Sequence, residues 1–282
     1  GCAAAPCRAA GLALAPAPAD ALELAALARE VEDRVIRVSS FPRIYVVDDF
    51  LSDEECDLLR RRSGPQSQPA PAPGELSGPE RWDPARAHAQ AYVSKEDCRE
   101  QPTVSGIFRR MHSLARVPPG HGEQPRVARY AEGQGQECRL EAAQPGASAG
   151  GSRAALVLAY LSDVEAGGEE VFPRGEKCTG LACCRGAAAA AGSFPPPAGP
   201  VFLRPKKRRA VLFYPQDLEG SPSGLAARCS CPVGAGEKWV VEAWFRSVLY
   251  PESPHYTSGN LPDDGSAPEL SEGAVLDQQH EL

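Results

Sequence analysis

Three residues with metal-ligating side chains lie close together near the middle of the chain. Glu137, Cys138 and Glu141 offer two carboxylates and a thiol within one short segment. Side chains alternate between the two faces of a strand, so Cys138 has the opposite parity to both glutamates. The spacing therefore disfavours a metal site built from these three residues.

Cysteine is the other metal ligand in plentiful supply, with 10 residues in the chain. Cys178, Cys183 and Cys184 are closest in sequence, but adjacent cysteines seldom bind one metal together and no fourth ligand lies near. Ten cysteines favour an oxidising compartment, although a buried free cysteine can act simply as a small apolar residue. The final segment, 279–282, resembles a KDEL-type retrieval signal in its last two residues, and a chance ending is the alternative. We expect a location in the endoplasmic reticulum or the secretory lumen.

Helical and extended elements alternate in the first part of the chain. Asp20 can cap a helix whose apolar residues, Leu24 to Val35, recur at helical spacing. Residues 43–47 are a β-rich run, and Ser52 to Glu55 form a capping box that opens a helix. Residues 64–85 are rich in Pro, Gly and Ser and indicate a loop. A further short helix is predicted over 108–114.

From residue 126 the pattern changes to short β-rich runs separated by turn signals. The runs cover 126–130, 154–161, 169–172, 210–214 and 238–248. Such spacing is typical of an antiparallel barrel or jelly roll, and predicts a mainly β fold with supporting helices. The predicted units are an Ala/Pro-rich leader (1–19), a helical and strand support region (20–125), a β core (126–248) with a low-complexity insertion (179–200), and an acidic disordered tail (249–282).

Composition and charge exclude two classes of protein. Of the 282 residues 42% are hydrophobic, enough to bury a core, and no apolar run approaches the roughly 18 residues of a membrane span. The formal net charge of −7 argues against a general nucleic-acid binder, whose phosphate contacts need a basic face.

One segment, 160–173, carries a specific resemblance. It reads Y-L-S-D-V-E-A-G-G-E-E-V-F-P and is similar to the Y-L-S-D-V-x-x-G-G-E-T-x-F-P segment of prolyl 4-hydroxylases. Matches in the family's order flank it: F-L-S-D-E-E-C at 50–56 and H-G-E at 121–123 upstream, with C-P-V at 231–233 and G-E-K-W at 236–239 downstream. The resemblance implies a double-stranded β-helix of the Fe(II)- and 2-oxoglutarate-dependent dioxygenases.

That family binds Fe(II) through H-x-D on one strand and a distal His shortly before C-P-V. The corresponding residues here are Arg139, Glu141 and Arg228, so all three ligand positions are substituted. A guanidinium has no lone pair to offer and stays charged near neutral pH, so ordinary iron binding should be lost. We expect Glu141 to bridge the two arginines where the metal would lie. The histidines of the chain, all outside the two strands that frame this site, are His88, His112, His121, His255 and His280.

Lys238 matches the family lysine that pairs with the distal carboxylate of 2-oxoglutarate. Its predicted role is that of an anion anchor, and a strand lysine that reaches solvent is the alternative. Glu170 stands where the family commonly has Thr, and an added carboxylate would disfavour an anion there. Arg86 is the one match to the family's R-T-S-S-G-T-F segment beside the peptide groove, with an exposed loop arginine as the alternative.

Two further features follow from the same resemblance. Residues 204–209, R-P-K-K-R-R, could form a polyanion-binding or nuclear-localisation patch, but they coincide with the family's K-P-x-x-G-D turn, which favours a solvated turn. Cys178 and Cys231 match cysteines that flank the insertion in the family, which implies a disulfide between them. Cys183, Cys184 and Cys229 are competing partners.

Two functions are consistent with these residues. The substituted ligands favour a non-catalytic prolyl hydroxylase-like protein that binds a Pro-rich peptide or protein partner. The alternative is an active peptidyl-proline 4-hydroxylase with an atypical site, which would use Fe(II), 2-oxoglutarate, O₂ and ascorbate as the family does.

Overall fold

The apolar runs of the sequence form strands that pair into antiparallel sheets. The computed structural model describes residues 34–63, 68–69, 89–118, 120–141, 151–175, 178, 180–185, 199–217 and 223–250. In chain order the strands are β1 (Val35–Ser40), β2 (Arg43–Val47), β3 (Gln68–Pro69), β4 (Ala89–Tyr92), β5 (Arg126–Tyr130), β6 (Gln136–Leu140), β7 (Arg153–Tyr160), β8 (Ala166–Gly167), β9 (Glu170–Phe172), β10 (Val201–Leu203), β11 (Ala210–Tyr214), β12 (Ala227–Ser230), β13 (Val233–Ala235) and β14 (Lys238–Arg246). The helices are α1 (Asp53–Ser63), α2 (Lys95–Glu100) and α3 (Pro102–Ala115), and a short 3₁₀ turn covers Ala182–Cys184.

Two sheets face each other across the core. The larger has the order β1-β2-β11-β7-β14-β5-β4-β3, and the smaller has the order β10-β9-β12-β6. A two-stranded ribbon of β13 and β8 completes the fold. At the centre of each sheet, in the runs β2-β11-β7-β14-β5 and β9-β12-β6, the paired strands are not consecutive in the chain, which is the arrangement of a jelly roll. The predicted mainly β fold is confirmed.

Strand alternation divides the interior into two apolar layers. On β7, Val157 and Ala159 pack with the helices on one face of the large sheet. Leu156, Leu158 and Tyr160 point to the other face and pack against the small sheet. Because residues of a strand alternate between faces, one apolar strand can serve both layers. The layer between the sheets is the one that contains the predicted site.

Local capping signals determine where the helices begin. The hydroxyl of Ser52 accepts from the Glu55 backbone N–H at 3.2 Å, and the Glu55 carboxylate accepts from the Ser52 backbone N–H at 2.9 Å, so the predicted capping box at the start of α1 is confirmed. Pro102 opens α3, where a missing N–H costs nothing. The predicted 108–114 helix lies inside α3.

The predicted strands at 43–47, 126–130 and 210–214 have the observed bounds, and those at 154–161, 169–172 and 238–248 differ by one or two residues at their ends. The helix predicted up to Val35 was wrong at that residue, which opens β1 and pairs with Val47 of β2. The loop prediction for 64–85 was wrong at Gln68–Pro69, which pairs with β4. In both cases a strand partner distant in sequence overrides the local pattern. The leader, most of the 64–85 and 179–200 segments and residues 251–282 lie outside the described residues.

Candidate functional site

Strands β6 and β12 bring the three substituted ligand positions together. Arg139 and Arg228 are direct partners in the antiparallel register, and Glu141 follows the end of β6. Arg228 is 3% exposed and Glu141 is 1% exposed. The Arg139 side chain is 43% exposed. Two of the three residues therefore lie in the interior, and the third lies at its edge.

Glu141 makes the predicted bridge between the two arginines. Its Oε1 accepts from Arg228 Nε at 3.2 Å and from Arg228 Nη2 at 3.0 Å. Arg139 Nε lies 3.4 Å from the same oxygen. The contact with Arg228 is the stronger one because it consists of two buried hydrogen bonds, whereas water screens the contact with Arg139.

Arg228 also contacts two carboxylates on other strands. Its Nη1 donates to Glu170 Oε2 on β9 and to Glu242 Oε1 on β14, both at 3.0 Å. Glu242 is 2% exposed and was not among the residues predicted for the site. A single charged residue within the apolar run of β14 is a signal that could have found it, because an unpaired carboxylate would not be buried there.

Lys238 is enclosed by the same group of residues. Its Nζ donates to Glu170 Oε1 and to the Gly168 carbonyl, both at 3.0 Å, and also to Ser230 Oγ. The ammonium lies 4.5 Å from the centroid of the Tyr130 ring. Since Lys238 is 0% exposed, the alternative of a strand lysine that reaches solvent was wrong. Glu170 uses one oxygen for Lys238 and the other for Arg228.

Arg126 is a third cation of the site and another residue that the sequence did not indicate. It lies opposite Glu242 in the register of β5 and β14, and its Nε donates to Glu242 Oε2 at 2.7 Å. Its Nη1 donates to Gln90 Oε1 at 3.1 Å. These residues form the buried charge cluster, whose members are Arg126, Arg228, Lys238, Glu141, Glu170 and Glu242. Three cations face three carboxylates, so the cluster is electrically balanced.

The ionisation of the cluster follows from this pairing. Burial alone would lower the pKa of Arg228, but Glu242, Glu141 and Glu170 together hold that pKa well above its usual value. Burial alone would raise the pKa of Glu141, but Arg228 and Arg139 hold it below its usual value. The pKa of Glu242 is lowered in the same way, by Arg126 and Arg228 against burial. Arg228, Glu141 and Glu242 therefore stay charged across the physiological pH range.

These residues do not fit an Fe(II) and 2-oxoglutarate centre. A facial iron site needs two imidazoles and a carboxylate, whereas two of the positions here carry guanidinium groups without lone pairs. Glu141 Oε2 is buried and makes no hydrogen bond with any of the described residues, so it offers one oxygen ligand where three ligands are required. Lys238, which matches the family's co-substrate anchor, already donates a hydrogen bond to the carboxylate of Glu170.

The basic run at 204–209 forms a turn, as the alternative to a polyanion patch predicted. Lys206 Nζ and Arg209 Nε bind Asp48 at 2.9 Å and 2.6 Å. Lys207 Nζ lies 2.9 Å from Asp53. Arg208 adopts a φ of 74°, the left-handed region that glycine occupies easily, at a position where the family has glycine. Acidic partners neutralise the basic run, which argues against a patch open to polyanions.

The predicted Cys178–Cys231 disulfide was wrong. Cys178 is bonded to Cys183, and Cys231 is bonded to Cys184. A third disulfide joins Cys138 on β6 to Cys229 on β12. The 3₁₀ turn brings Cys184, rather than Cys178, to within 5.5 Å of Cys231 between Cα atoms. Spacing along the chain could not choose between these partners, because the pairing depends on how the segment folds back onto β12 and β13.

The remaining candidate residues lie apart from the cluster or outside the described residues. His121 Nδ1 lies 3.0 Å from the Arg246 carbonyl, and His112 Nδ1 lies 3.2 Å from the Val117 carbonyl. Burial lowers the pKa of His121. Both are packing histidines of the fold. The residues of the prediction that fall outside the described part of the chain are Arg86, His88, His255 and His280. No described helix has the length and apolar character needed to cross a membrane.

Comparison with known proteins places the fold and the motifs in one family. No protein-family profile matches the chain. Prolyl 4-hydroxylase 2 of Arabidopsis thaliana is 30% identical over 222 residues, which are 75% of this chain and 69% of that protein. Prolyl 4-hydroxylase 1 of the same plant is 30% identical over 214 residues, 74% of this chain and 70% of that protein.

A solved structure agrees with the fold. The viral collagen prolyl hydroxylase of Paramecium bursaria chlorella virus 1, in its 2-oxoglutarate complex, matches with a TM-score of 0.50 and 21% identity. The match covers 73% of this chain and 96% of that one, and at this identity it shows the fold alone. The sequence likeness to the plant enzymes extends over more than two thirds of their length, and the chain therefore belongs to the prolyl 4-hydroxylase family.

Proposed function

We propose that this protein is a non-catalytic member of the prolyl 4-hydroxylase family that binds a Pro-rich peptide or protein partner. The observation that carries the proposal is Arg228, which stands at the position of the distal histidine and pairs with three buried carboxylates. A residue bound in this way cannot rotate away to release a metal site without leaving unpaired charges in the core.

Iron binding is opposed by both ligand chemistry and electrostatics. Arg228 places a fixed positive charge in the interior, and Arg139 adds a second one at its edge. The carboxylates that could attract a dication are already neutralised, since the cluster contains as many cations as anions. A bound Fe²⁺ would therefore add two uncompensated positive charges to a region of low dielectric constant.

Binding of 2-oxoglutarate is opposed by Glu170. Its Oε1 accepts from Lys238 Nζ at 3.0 Å, the type of contact that the family lysine makes with the co-substrate. A dicarboxylate would have to displace this carboxylate, whose other oxygen holds Arg228 at 3.0 Å. Glu170 thus acts as an internal substitute for the anion, and Lys238 becomes a structural residue instead of an anchor.

The proposed partner and location follow from the family and from the cysteines. Relatives are named prolyl 4-hydroxylases, and a Pro-rich segment is therefore the class of ligand that we propose for this chain. Six cysteines of the described residues form three disulfides, which supports an oxidising compartment such as the lumen of the endoplasmic reticulum.

The test measures iron content and 2-oxoglutarate turnover of the purified full chain with a poly-proline peptide. Arabidopsis prolyl 4-hydroxylase 1, prepared in the same way, is the positive control. We expect no stoichiometric iron and no succinate above the background without enzyme. Stoichiometric iron together with peptide-dependent succinate release would overturn the proposal and establish the active hydroxylase instead. Peptide binding is measured separately by fluorescence anisotropy, so loss of activity and loss of binding are distinguished.

Restoration of the ligands tests the role of Glu170. The triple change Arg139→His, Glu141→Asp and Arg228→His leaves two buried cations, Arg126 and Lys238, against three carboxylates, a net charge of −1. Fe²⁺ and doubly charged 2-oxoglutarate cancel one another, so the loaded triple variant keeps this unpaired charge. A further Glu170→Thr change brings the loaded site to neutrality.

We therefore expect the fourfold variant to bind 2-oxoglutarate more tightly than the triple variant. A charge-assisted hydrogen bond contributes about 1.5–3 kcal/mol, which corresponds to about ten- to a hundredfold in affinity. Isothermal titration in the presence of Mn²⁺ as an inert substitute for iron measures the difference. Equal affinities in the two variants would show that Glu170 does not compete for Lys238.

A further inference from the structure

Four cysteine sulfurs meet on the outer face of the small sheet. Cys138 Sγ lies 3.1 Å from Cys178 Sγ, so the Cys138–Cys229 and Cys178–Cys183 disulfides are in direct contact. The sulfurs of Cys138, Cys178 and Cys183 all lie within 4.8 Å of one another. We call the four residues Cys138, Cys178, Cys183 and Cys229 the sulfur tetrad.

The tetrad is separate from the buried charge cluster. Cys229 follows Arg228 directly on β12, and consecutive strand residues point to opposite faces. Arg228 therefore enters the layer between the sheets, and Cys229 packs on the outside with Val171 and Cys231. The third disulfide, Cys184–Cys231, lies beside the tetrad and uses other sulfurs.

We propose that the sulfur tetrad binds Zn²⁺ when its two disulfides are reduced. Tetrahedral zinc with four thiolates has Zn–S distances of about 2.3 Å, which separates the sulfurs by about 3.8 Å. The contact of 3.1 Å between the two disulfides is already close to that separation. Reduction lets the two sulfurs within each pair move apart to the same spacing. Cys138 lies on β6, Cys229 on β12 and Cys183 on the 3₁₀ turn, and Cys178 precedes that turn in the chain.

The chemistry of this change is a reduction followed by metal capture. Each disulfide takes two electrons and two protons from a dithiol reductant, which itself closes to a disulfide. The four resulting thiols lose four protons to solvent as Zn²⁺ binds, because the thiolate is the ligand. Cys138, Cys178 and Cys183 are partly exposed, so reductant and metal can reach them from solvent. Oxidised sulfurs carry no charge, and the site thus forms in the reduced protein alone.

This set satisfies the argument that excluded a zinc site from Cys178, Cys183 and Cys184. Of the two adjacent cysteines the tetrad uses Cys183, and Cys184 is directed to Cys231 instead. The missing ligands come from β6 and β12, which lie far from the 178–184 segment in sequence. The inference does not depend on the proposed function, since no residue of the charge cluster takes part.

The test titrates Zn²⁺ into the full chain after reduction with a phosphine under argon. Cys2 and Cys7, which lie outside the described residues, are replaced by serine in the background protein. We expect one Zn²⁺ per chain in the reduced protein, none in the oxidised protein, and a tetrahedral thiolate spectrum when Co²⁺ replaces Zn²⁺. Cys178→Ser should weaken binding at least tenfold, and Cys56→Ser, which changes a buried free cysteine, should leave it unaltered.

A second measurement keeps the proposal open to refutation if a variant fails to fold. The reduced background protein is alkylated with and without Zn²⁺, and the modified cysteines are identified by mass spectrometry. Zinc should protect the partly exposed Cys138, Cys178 and Cys183, whereas Cys184, which is also partly exposed, should stay reactive. The absence of stoichiometric binding, or protection of Cys184 equal to that of Cys138, Cys178 and Cys183, would overturn the proposal.

Discussion

Replacement of Arg228 by methionine is the most direct test of the buried charge cluster. Arg228 makes four hydrogen bonds to Glu141, Glu170 and Glu242, at distances of 3.0–3.2 Å. Methionine has a similar length but no charge, so the change removes the cation and leaves the packing volume largely in place. Three buried carboxylates would then face two buried cations.

The expected loss of stability is large. Removal of one partner from a buried ion pair costs about 3–5 kcal/mol, because the remaining charge is left without compensation. That loss is a substantial part of the about 5–15 kcal/mol by which a domain is stable. Arg139→Met is the matched control, since its side chain is 43% exposed and contacts the same Glu141 oxygen. Solvent-exposed pairs contribute about 0–1 kcal/mol, so this control should be nearly neutral.

The pH dependence of the stability difference between wild type and Arg228→Met provides an independent test of the cluster. In the wild-type protein Arg228 holds the pKa of Glu141 below its unfolded value, so the stability from this group is present above about pH 4.3 and is lost as the pH falls towards the folded pKa. Without Arg228, burial is the dominant influence and raises the folded pKa. The group then stabilises the protein below its unfolded pKa, and that stability is lost as the pH rises through the folded pKa. The difference in stability between wild type and Arg228→Met should therefore be smaller at pH 5 than at pH 7.

Urea unfolding of the disulfide-intact proteins at pH 5 and pH 7 measures both quantities. Circular dichroism of the folded baselines establishes that the fold is retained, and the midpoints and slopes give the free energies of unfolding. A loss below about 1 kcal/mol at pH 7, equal to that of Arg139→Met, would refute the account of the cluster as a set of interdependent buried charges. A difference that grows on acidification would refute the assigned ionisation of Glu141.

Other elements give further expectations. Ser52→Ala should cost about 0.5–2 kcal/mol in urea unfolding, because it removes the N-cap acceptor of α1, and an effect near zero would contradict that role. Joint replacement of Cys184 and Cys231 by serine opens a cross-link with a sequence separation of 47 and should cost about 2–4 kcal/mol, whereas Cys56→Ser, outside any disulfide, is the control. The basic partners of Asp48 lower its pKa to about 2, so the free energy of unfolding of Asp48→Asn should decrease less between about pH 4 and pH 2 than that of the wild type. An equal decrease in the two proteins would argue against the pairing.

Much of the fold could be predicted because its signals are local. The runs at 43–47, 126–130 and 210–214 form strands with the predicted bounds, since apolar residues with β propensity are concentrated there between turn residues. The capping box at Ser52 is equally local. The local pattern does not indicate short strands such as β6 and β12, because polar residues such as Arg139 and Arg228 interrupt it, and only the family resemblance implies strands at these positions.

The candidate site was predictable in part for the same reason. Motif order identified Arg139, Glu141 and Arg228 as a group, and unlike charges at the three ligand positions implied the bridge through Glu141. The sequence did not indicate that Glu242 and Arg126 belong to the cluster. They meet because β14 and β5 pair in a register that places these two residues directly opposite one another.

Residue types, and motifs that recur at short range, are properties of the sequence by itself. They determined the mainly β class, the family, and the absence of lone pairs at two of the three ligand positions. The tertiary structure alone decided which residues pair. Glu170 pairs with Lys238 and Cys231 with Cys184, and the sulfurs of Cys138, Cys178 and Cys183 converge, with Cys229 bonded to Cys138. Buried charges and thiols interact over a few ångströms, and strand register, together with the path of the chain between strands, sets which of them come that close.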